Sequence, residues 1–273
     1  MTPPVLDIAD LRIHFAGATT CAVDGVSLTI APNEIFGLLG ESGSGKSLTA
    51  AAALRVEPPS ALLTAARLDV CGVDLRTPRA ADLRAVRGGL ASMIFQEPMT
   101  ALAPTRTIGA QMADAACAHG ARSRQSAMAD AAQDLAAVNI KDPERVLRSY
   151  PHQLSGGMRQ RVLIAMAFAG APRLVIADEI TTAIDPTTRI AVLDLLATRA
   201  AQTRSAILFI SHDLGTVARF CDRVGVMQAG RLVEVGGARD VMATPQHPYT
   251  QRLKASLPGA GSLRQPLLGE DRP

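Results

Sequence analysis

The stretch GESGSGKS, residues 40–47, has the residue types and spacing of a phosphate-binding loop. It follows the apolar run IFGLL and precedes the run LTAAAAL, where a strand would pass into a helix. Backbone N–H groups of such a loop can close around an anion, and the helix N-terminus adds partial positive charge. Lys46 would reach the β- and γ-phosphates of a nucleotide, and Ser47 would ligate Mg²⁺. The predicted nucleotide-binding residues of the loop are Gly40, Glu41, Ser42, Gly43, Ser44, Gly45, Lys46 and Ser47.

The stretch LVIADE, residues 174–179, places four apolar residues before two carboxylates. A strand of this kind buries its body and presents Asp178 and Glu179 at its C-terminal edge, where parallel sheets bind ligands. Asp178 suits an outer-sphere contact to Mg²⁺, and Glu179 suits positioning and polarising an attacking water. The alternative is that both carboxylates only cap the next helix. Beside a phosphate loop, the catalytic interpretation is favoured.

The stretch LSGGMRQR, residues 154–161, is a second helix start suited to holding a phosphate. Ser155 is a good N-cap, while Gly156 and Gly157 allow another backbone or ligand to approach closely. An ordinary capped helix is the alternative, and the stretch by itself does not decide between the two. The chain therefore raises the question of why it would hold phosphate at two helix starts.

Short apolar strand candidates alternate with Ala-rich helix candidates. The strand candidates are 11–15, 34–40, 66–72, 91–95, 173–178, 206–212, 223–228 and 231–236, and helices are expected after Lys46, Thr107, Ser123, Ser155, Pro186 and Asp213. Several strands are continuously apolar, which indicates a sheet covered on both faces. The sequence predicts an α/β fold.

The chain is expected to form a single domain over residues 1–257. Residues 98–160 show helix signals without a strong strand, whereas strand signals resume at 173. We therefore expect a helical subdomain at about 98–160, inserted into a core formed by 1–97 and 161–257. Residues 258–273, rich in Gly and Pro, are predicted to be a flexible tail.

Composition narrows the class of protein. The 273 residues are 48% apolar with a net charge of +3, and no run of Lys or Arg predicts a nucleic-acid tract. Four single Cys residues suit free thiols in a reducing cytosol. Neither a signal peptide nor an apolar run near the roughly 20 residues of a membrane span is seen. We expect a cytosolic chain whose membrane role, if any, comes through partners.

LSGGMRQR, placed shortly before LVIADE, resembles the signature motif of the ABC ATPases, and the resemblance covers about residues 5–257. It implies a RecA-like P-loop NTPase core, an N-terminal antiparallel β region and an inserted helical subdomain. In that family two ATPase domains face each other head to tail. Each ATP lies between the phosphate loop of one domain and the signature helix of the other. Ser155, Gly156 and Gly157 would thus contact the partner's ATP, which answers the question of the two helix starts.

Four further residues match family motifs in order. Gln96 in FQEPMTALAP resembles the Q-loop glutamine that contacts Mg²⁺ or water and senses the transporter. Asp185 in TTAIDP resembles the D-loop aspartate that faces the partner, and His212 in FISHDL resembles the switch histidine at the γ-phosphate. Phe15 lies near the position where these ATPases stack an aromatic ring on adenine. The alternatives are a core Phe and a structural His.

Finer features, including HPYTQRLKAS, resemble the peptide/nickel import ATPases. That resemblance implies an ATP-hydrolysing importer subunit on the cytoplasmic face of the inner (plasma) membrane. Its partners would be a second ABC ATPase chain, two permease subunits and, through them, an extracytoplasmic substrate-binding protein. Met158 is similar to the first ATPase of heterodimeric pairs, with a homodimer as the alternative. Peptides lead as substrate, followed by nickel or a metal–chelator complex.

The rival interpretation is an ABC-type ATPase of a soluble enzyme complex, like the one in carbon–phosphorus lyase. Such chains also end near an HPYT segment without a cysteine tail. FQEPMTALAP favours the transporter, because the permease coupling helix docks there in importers. No Cys follows Cys221, so we expect no iron–sulfur cluster. A DNA-repair ABC ATPase would need coiled-coil insertions or zinc cysteines, and a P-loop kinase would leave LSGGMRQR unexplained.

Ile180 departs from the family, which usually has Pro directly after the catalytic glutamate. Loss of Pro frees the φ angle and restores an N–H at a sharp turn. We predict that hydrolysis survives with Glu179 less rigidly placed, so that Ile180→Pro changes the ATPase rate. The two proteins are compared at saturating ATP, and equal rates would show that this position does not matter.

Overall fold

Two sheets and a set of helices make up the residues that the computed structural model describes, 2–95, 101–118, 123–181 and 186–256. The strands there are β1 (Leu6–Phe15), β2 (Val23–Ile30), β3 (Ile35–Leu39), β4 (Ala61–Thr64), β5 (Arg67–Val70), β6 (Val73–Asp74), β7 (Ala91–Ile94), β8 (Leu174–Asp178), β9 (Ala206–Ser211), β10 (Arg223–Gln228) and β11 (Arg231–Gly237). The helices are α1 (Lys46–Leu54), α2 (Ala80–Val86), α3 (Ile108–Ala118), α4 (Arg124–Ala137), α5 (Pro143–Arg148), α6 (Gly156–Phe168), α7 (Pro186–Thr203), α8 (Leu214–Phe220), α9 (Ala238–Ala243) and α10 (Pro248–Ala255).

The N-terminal sheet is antiparallel, as the resemblance to the ABC ATPases implied. Its order is β2-β1-β5-β6, and β4 also pairs with β1. The buried positions of β1 change register at a bulge, where Asp10 has a φ of +48° between Ile8 and Leu11. Because a bulge breaks the two-residue alternation, only the second half of β1 could be found as a strand in the sequence.

The larger sheet has the order β11-β10-β3-β9-β8-β7, with β11 antiparallel at one edge and the other strands parallel. Every residue of β3, β8 and β9 is buried, which accounts for their continuous apolar composition. Alternate residues of β9 enter different clusters: Ile207 and Phe209 pack on one face, while Leu208 and Ile210 pack on the other. Both faces of this sheet are therefore covered.

Helix α1 lies between the two sheets. Its residues Ala50, Ala52, Ala53 and Leu54 belong to the apolar cluster that also holds residues of β1, β5 and the parallel sheet. Three small side chains allow the helix to fit into this narrow layer. The helix that follows the phosphate loop is thus fixed by packing on both sides.

Helices α3, α4 and α5 pack on one another, and α3 and α4 also contact α6. Ile108, Leu135 and Val146 belong to the same apolar cluster as the residues of α6 and one face of the parallel sheet. The described residues between 101 and 160 form helices and connecting segments, in line with the expected helical content. The division at about 98–160 stays a prediction, and the predicted tail, 258–273, lies outside the described residues.

Several short elements were not anticipated from the sequence: β2, β4, β6, α2, α5, α9 and α10. In β2, Gly25 has a φ of +73° and interrupts an otherwise alternating pattern of buried residues. Elements of two to eight residues carry few periods of any pattern, so their periodicity is weak in the sequence. In the part of the chain described, no helix combines the length and hydrophobicity that a membrane crossing requires.

Gly37 of β3 marks a close contact between the parallel sheet and α8. A Cβ atom added there would lie 2.7 Å from Cγ1 of Val217 and 2.9 Å from Sγ of Cys221. We predict that Gly37→Ala lowers the free energy of unfolding by about 1–3 kcal/mol through overpacking, measured by chemical denaturation. Gly215→Ala is the matched control, because its Cβ would lie 3.4 Å from Oδ1 of Asp213 and Ala favours the helix. Equal effects of both changes would contradict the overpacking.

Candidate active site

Two predicted catalytic residues, Glu179 and His212, lie at the same edge of the parallel sheet as the phosphate loop. The phosphate loop follows β3, Asp178 ends β8, and His212 follows β9, which lies between β3 and β8. Because parallel strands share the same carboxyl edge, segments more than a hundred residues apart in sequence become neighbours. The site forms where strand order places these three strands side by side.

The phosphate loop is wedged between the two sheets, and this determines where glycine is required. A Cβ on Gly40 would lie 2.3 Å from the backbone oxygen of Met227, and one on Gly45 would lie 2.7 Å from that of Ala22. Gly45 also has a φ of +99°, and Gly43 has a φ of +78°. These are conformations that residues with a Cβ rarely adopt. The loop therefore needs glycine both for its turn and for its close approach to neighbouring backbone.

Lys46 turns its ammonium group into the loop. Nζ donates hydrogen bonds to the backbone oxygens of Gly40, at 2.9 Å, and Glu41, at 2.8 Å. The residue is buried, and burial lowers the pKa of Lys46, opposed by the negative charges of Glu179, Asp178 and Glu41. The lysine is thus held among acceptors in the position where a phosphate would bind.

Ser47 and Asp178 connect the two halves of the site directly. Oγ of Ser47, on α1, donates a hydrogen bond to Oδ1 of Asp178, on β8, at 3.0 Å. Burial raises the pKa of Asp178, and the neighbouring charge of Glu179 adds to this, while the Ser47 hydrogen bond and Lys46 oppose it. A hydroxyl and a carboxylate at this distance are ligands that suit Mg²⁺.

Glu179 is held by its backbone. Its φ is +47°, and its N–H donates to the backbone oxygen of Ile210 at 3.1 Å. Its Oε2 lies 3.6 Å from Nδ1 of His212, whose side chain is half exposed. The next residue, Ile180, is buried, and its backbone oxygen accepts a hydrogen bond from Nε2 of Gln160 at 3.3 Å. The backbone around the catalytic carboxylate is therefore fastened to β9 on one side and to α6 on the other.

The start of α8, directly after His212, is fixed by Asp213. Its Oδ1 accepts from the N–H of Thr216 at 3.2 Å, and its Oδ2 pairs with the Arg189 guanidinium of α7 at 2.6 Å. An aspartate N-cap of this kind stabilises the first turn of a helix. The imidazole is thereby presented at a rigid strand-to-helix junction.

The signature residues face away from the protein's interior. Ser155 caps α6 by accepting from the N–H of Met158 at 3.3 Å, and Ser155, Gly156 and Gly157 are all exposed. A Cβ added at either glycine would meet nothing within 4 Å. In contrast to Gly40 and Gly45, these two glycines are therefore not explained by packing within the described part of the chain.

Three further residues were predicted to belong to the site: Phe15, Gln96 and Asp185. Phe15 ends β1, half buried, opposite Ala61 of β4. Stacking of its ring on adenine stays a prediction. Gln96 and Asp185 lie outside the described residues.

Two contacts were missed by the sequence analysis. Gln160 lies inside LSGGMRQR and Tyr249 inside HPYT, and both stretches were used only to recognise a family. Oη of Tyr249 accepts a hydrogen bond from the N–H of Glu41 at 3.0 Å. The available signal was a polar side chain within a short family motif. The partner of that side chain could not be read from the sequence.

The loop residues fit a bound polyphosphate. Oγ of Ser44 is buried with no hydrogen-bond partner among the described residues, which leaves a donor within the loop available to an anion. Neither Gly40 nor Gly45 tolerates a Cβ, so the loop provides a backbone cradle of the shape that phosphate requires. No group of three or more His, Cys, Asp or Glu among the described residues could hold a metal ion. A Mg²⁺ ion here would need nucleotide oxygens and waters beside Ser47 and Asp178.

The buried carboxylate of Asp178 is expected to lower the stability of the folded protein. Because burial raises the pKa of Asp178, its charged form destabilises the folded protein, and this cost fades as the pH falls. We predict that Asp178→Asn raises the melting temperature without nucleotide at pH 7, since Asn Oδ1 can still accept from Ser47. The gain should shrink at acid pH, and the added stabilisation by MgATP should be lost. A lower melting temperature at pH 7 would contradict this assignment.

The fold matches a solved ATPase structure. The dimeric post-hydrolysis state of the ATP-binding cassette MJ0796, bound to ADP and phosphate, aligns with a TM-score of 0.73 at 25% identity. The alignment covers 86% of this chain and 99% of that one. The predicted α/β fold with an antiparallel N-terminal region is confirmed.

The sequence comparisons agree. The model of the ABC transporter family matches residues 23–182. A probable peptide ABC transporter ATP-binding protein of Sinorhizobium fredii, y4tR, is 45% identical over 269 residues, covering 97% of this chain and 80% of the relative. A probable D,D-dipeptide transport ATP-binding protein of Escherichia coli, DdpD, is 47% identical over 270 residues, covering 98% and 82%. The chain belongs to the ABC transporter family, in which it is an ATP-binding, ATP-hydrolysing subunit.

Proposed function

We propose that this ATPase drives the import of peptides, or of a related small solute, through partner permeases, and that Glu179 is its catalytic carboxylate. The observation that carries the site is the Ser47–Asp178 hydrogen bond beside Lys46 and Glu179, because it assembles phosphate-, metal- and water-handling groups. The names of the two relatives, peptide and D,D-dipeptide transport proteins, support the substrate class. Nickel or a metal–chelator complex is the second choice.

The loop residues 40–47 bind the phosphates through backbone N–H groups, the Ser44 hydroxyl and Lys46. Adding phosphate oxygens beside the backbone oxygens around Lys46 would raise its pKa and offset the cost of its burial. Ser47 and, through water, Asp178 would hold Mg²⁺, with Gln96 as a further ligand. When bound, Mg²⁺ neutralises charge that develops on the phosphates. Phe15 would stack on the adenine.

Glu179 acts on the water that attacks the γ-phosphate. Its mostly buried side chain, and the two hydrogen bonds that hold the backbone around it, restrict where the carboxylate can lie, which helps to orient a nucleophile. His212, close to Glu179 and half exposed, is placed to contact the γ-phosphate. The two residues directly follow adjacent strands, β8 and β9, so their spacing is set by the sheet.

A second ATPase chain completes each ATP site. Gly156 and Gly157 begin α6 although glycine is unfavourable in helices, and the space around both is open. Approach of the partner's nucleotide to this helix start would explain the glycines and the exposed Ser155. Asp185 would face the partner at the same interface. Met158 supports a heterodimer, and a homodimer is the alternative.

The transporter assembly follows from the same reasoning. Two integral membrane permeases would contact the helical subdomain and the segment after Gln96, with an extracytoplasmic binding protein on the far side. The chain would be peripheral on the cytoplasmic face of the inner (plasma) membrane. We expect neither nucleic acid nor an iron–sulfur cluster. The soluble-complex alternative is not favoured, since the relatives carry transport names.

Co-purification tests the assembly. The tagged chain is extracted from membranes with mild detergent, and the proteins retained with it are identified by mass spectrometry. Two multi-span proteins together with an ATPase support the importer. Soluble enzymes without multi-span proteins would contradict it and favour the carbon–phosphorus lyase-like alternative.

Glu179→Gln tests the catalytic carboxylate. We predict a fall in kcat of about 10²–10⁴-fold, the range for loss of a general base, with ATP binding retained and the closed ATPase pair accumulating. ATPase assays and size-exclusion chromatography with ATP measure both. Lys46→Ala serves as the matched control, because it should abolish nucleotide binding itself. Wild-type turnover by Glu179→Gln would show that another residue acts on the water.

A further inference from the structure

The segment HPYT, residues 247–250, begins α10 and places its tyrosine against the phosphate loop. Oη of Tyr249 accepts a hydrogen bond from the N–H of Glu41 at 3.0 Å, across 208 residues of sequence. Tyr249 is 3% exposed, so this contact belongs to the packed interior. We propose that Tyr249 is a positioning residue that fixes the first peptide unit of the phosphate loop and thereby sets the affinity for ATP.

The peptide unit between Gly40 and Glu41 is held from two sides. Its oxygen, on Gly40, accepts from Nζ of Lys46, and its N–H, on Glu41, donates to Tyr249. A peptide unit is planar, so fixing the N–H also fixes the direction of the oxygen. Tyr249 therefore orients an acceptor that holds the phosphate-binding ammonium group.

The tyrosine itself is firmly anchored. Nδ1 of His247 accepts from the N–H of Tyr249 at 3.2 Å and caps α10. Glu234 of β11 accepts from the N–H groups of Gln246 and His247, at 2.8 and 3.1 Å. The Arg252 guanidinium lies 5.9 Å from the centre of the tyrosine ring. The edge strand β11 thus supports the residue that supports the loop.

The hydroxyl keeps its role throughout the physiological pH range. Burial raises the pKa of Tyr249, the Glu41 N–H opposes this, and the phenol stays neutral. Gly40 has no side chain that could restrain the start of the loop. The hydrogen bond from Glu41 to Tyr249 restrains this backbone instead. The HPYT segment accordingly belongs to the nucleotide site, although it lies at the opposite end of the chain.

Tyr249→Phe removes the hydroxyl and keeps the ring. Loss of one neutral hydrogen bond predicts a rise of about three- to tenfold in the KM for ATP. We expect kcat to stay within about twofold, because the contact is the same in the ground and transition states. Amide hydrogen exchange at Glu41 in nucleotide-free protein should accelerate by a similar factor, while exchange along α1 stays unchanged. Ser256→Ala is the matched control, because it removes a hydroxyl that donates to the backbone oxygen of Leu253 at the end of the same helix.

Unchanged KM and unchanged exchange at Glu41 in Tyr249→Phe would overturn the proposal. So would equal effects of Ser256→Ala, or faster exchange along α1 as well, since either indicates general loosening. The inference rests on assigning the loop to ATP, which Lys46→Ala tests separately by nucleotide binding. If Lys46→Ala bound ATP normally, that assignment would fail. Exchange at Glu41 without nucleotide would still decide whether Tyr249 orders the loop.

Discussion

Three fully buried parallel strands, β3, β9 and β8, impose the arrangement on which the site depends. Their hydrogen-bonded register brings their carboxyl ends to a common edge. The polar groups at these three strand ends are therefore neighbours. We propose that the loop after β3 binds phosphate and that the carboxylates at the end of β8 handle metal and water; the histidine follows β9, the strand between them. Apolar burial of the strands thus provides the precision that the polar groups require.

The same burial makes the site costly to the fold. Lys46 and Asp178 are ionisable groups with few contacts to water. Burial lowers the pKa of Lys46 and raises that of Asp178, which in both cases favours the neutral form. Glu179 adds a left-handed backbone conformation. Such costs are typical of functional sites, where structure elsewhere maintains groups that would not be stable by themselves. Binding of a polyphosphate with its metal would place additional charges of opposite sign beside Lys46 and Asp178.

Local patterns determined which parts could be predicted. The phosphate loop, the carboxylates of β8 and the N-cap Ser155 were found because each requires particular residues at fixed spacing within a few positions. Strands β8 and β9 were found from their unbroken apolar runs. The bulge at Asp10 prevented prediction of the first half of β1. The hydrogen bond between Glu41 and Tyr249 could not be predicted from the sequence. Long-range hydrogen bonds depend on how elements meet, and no short window of sequence records that.

Gln160 connects helix α6 to the backbone beside the catalytic glutamate. The helix starts at the residues proposed to contact the partner's nucleotide, and its second turn binds the backbone oxygen beside the glutamate that serves this chain's own nucleotide. In a head-to-tail pair, a shift of α6 caused by the partner's nucleotide would therefore reach Glu179 of the same chain, which is proposed to act at the other ATP site. Thermodynamic linkage makes such an influence reciprocal for binding. The two ATP sites of the assembly would then act as one cooperative unit, with a single rigid helix as the communicating element in each direction.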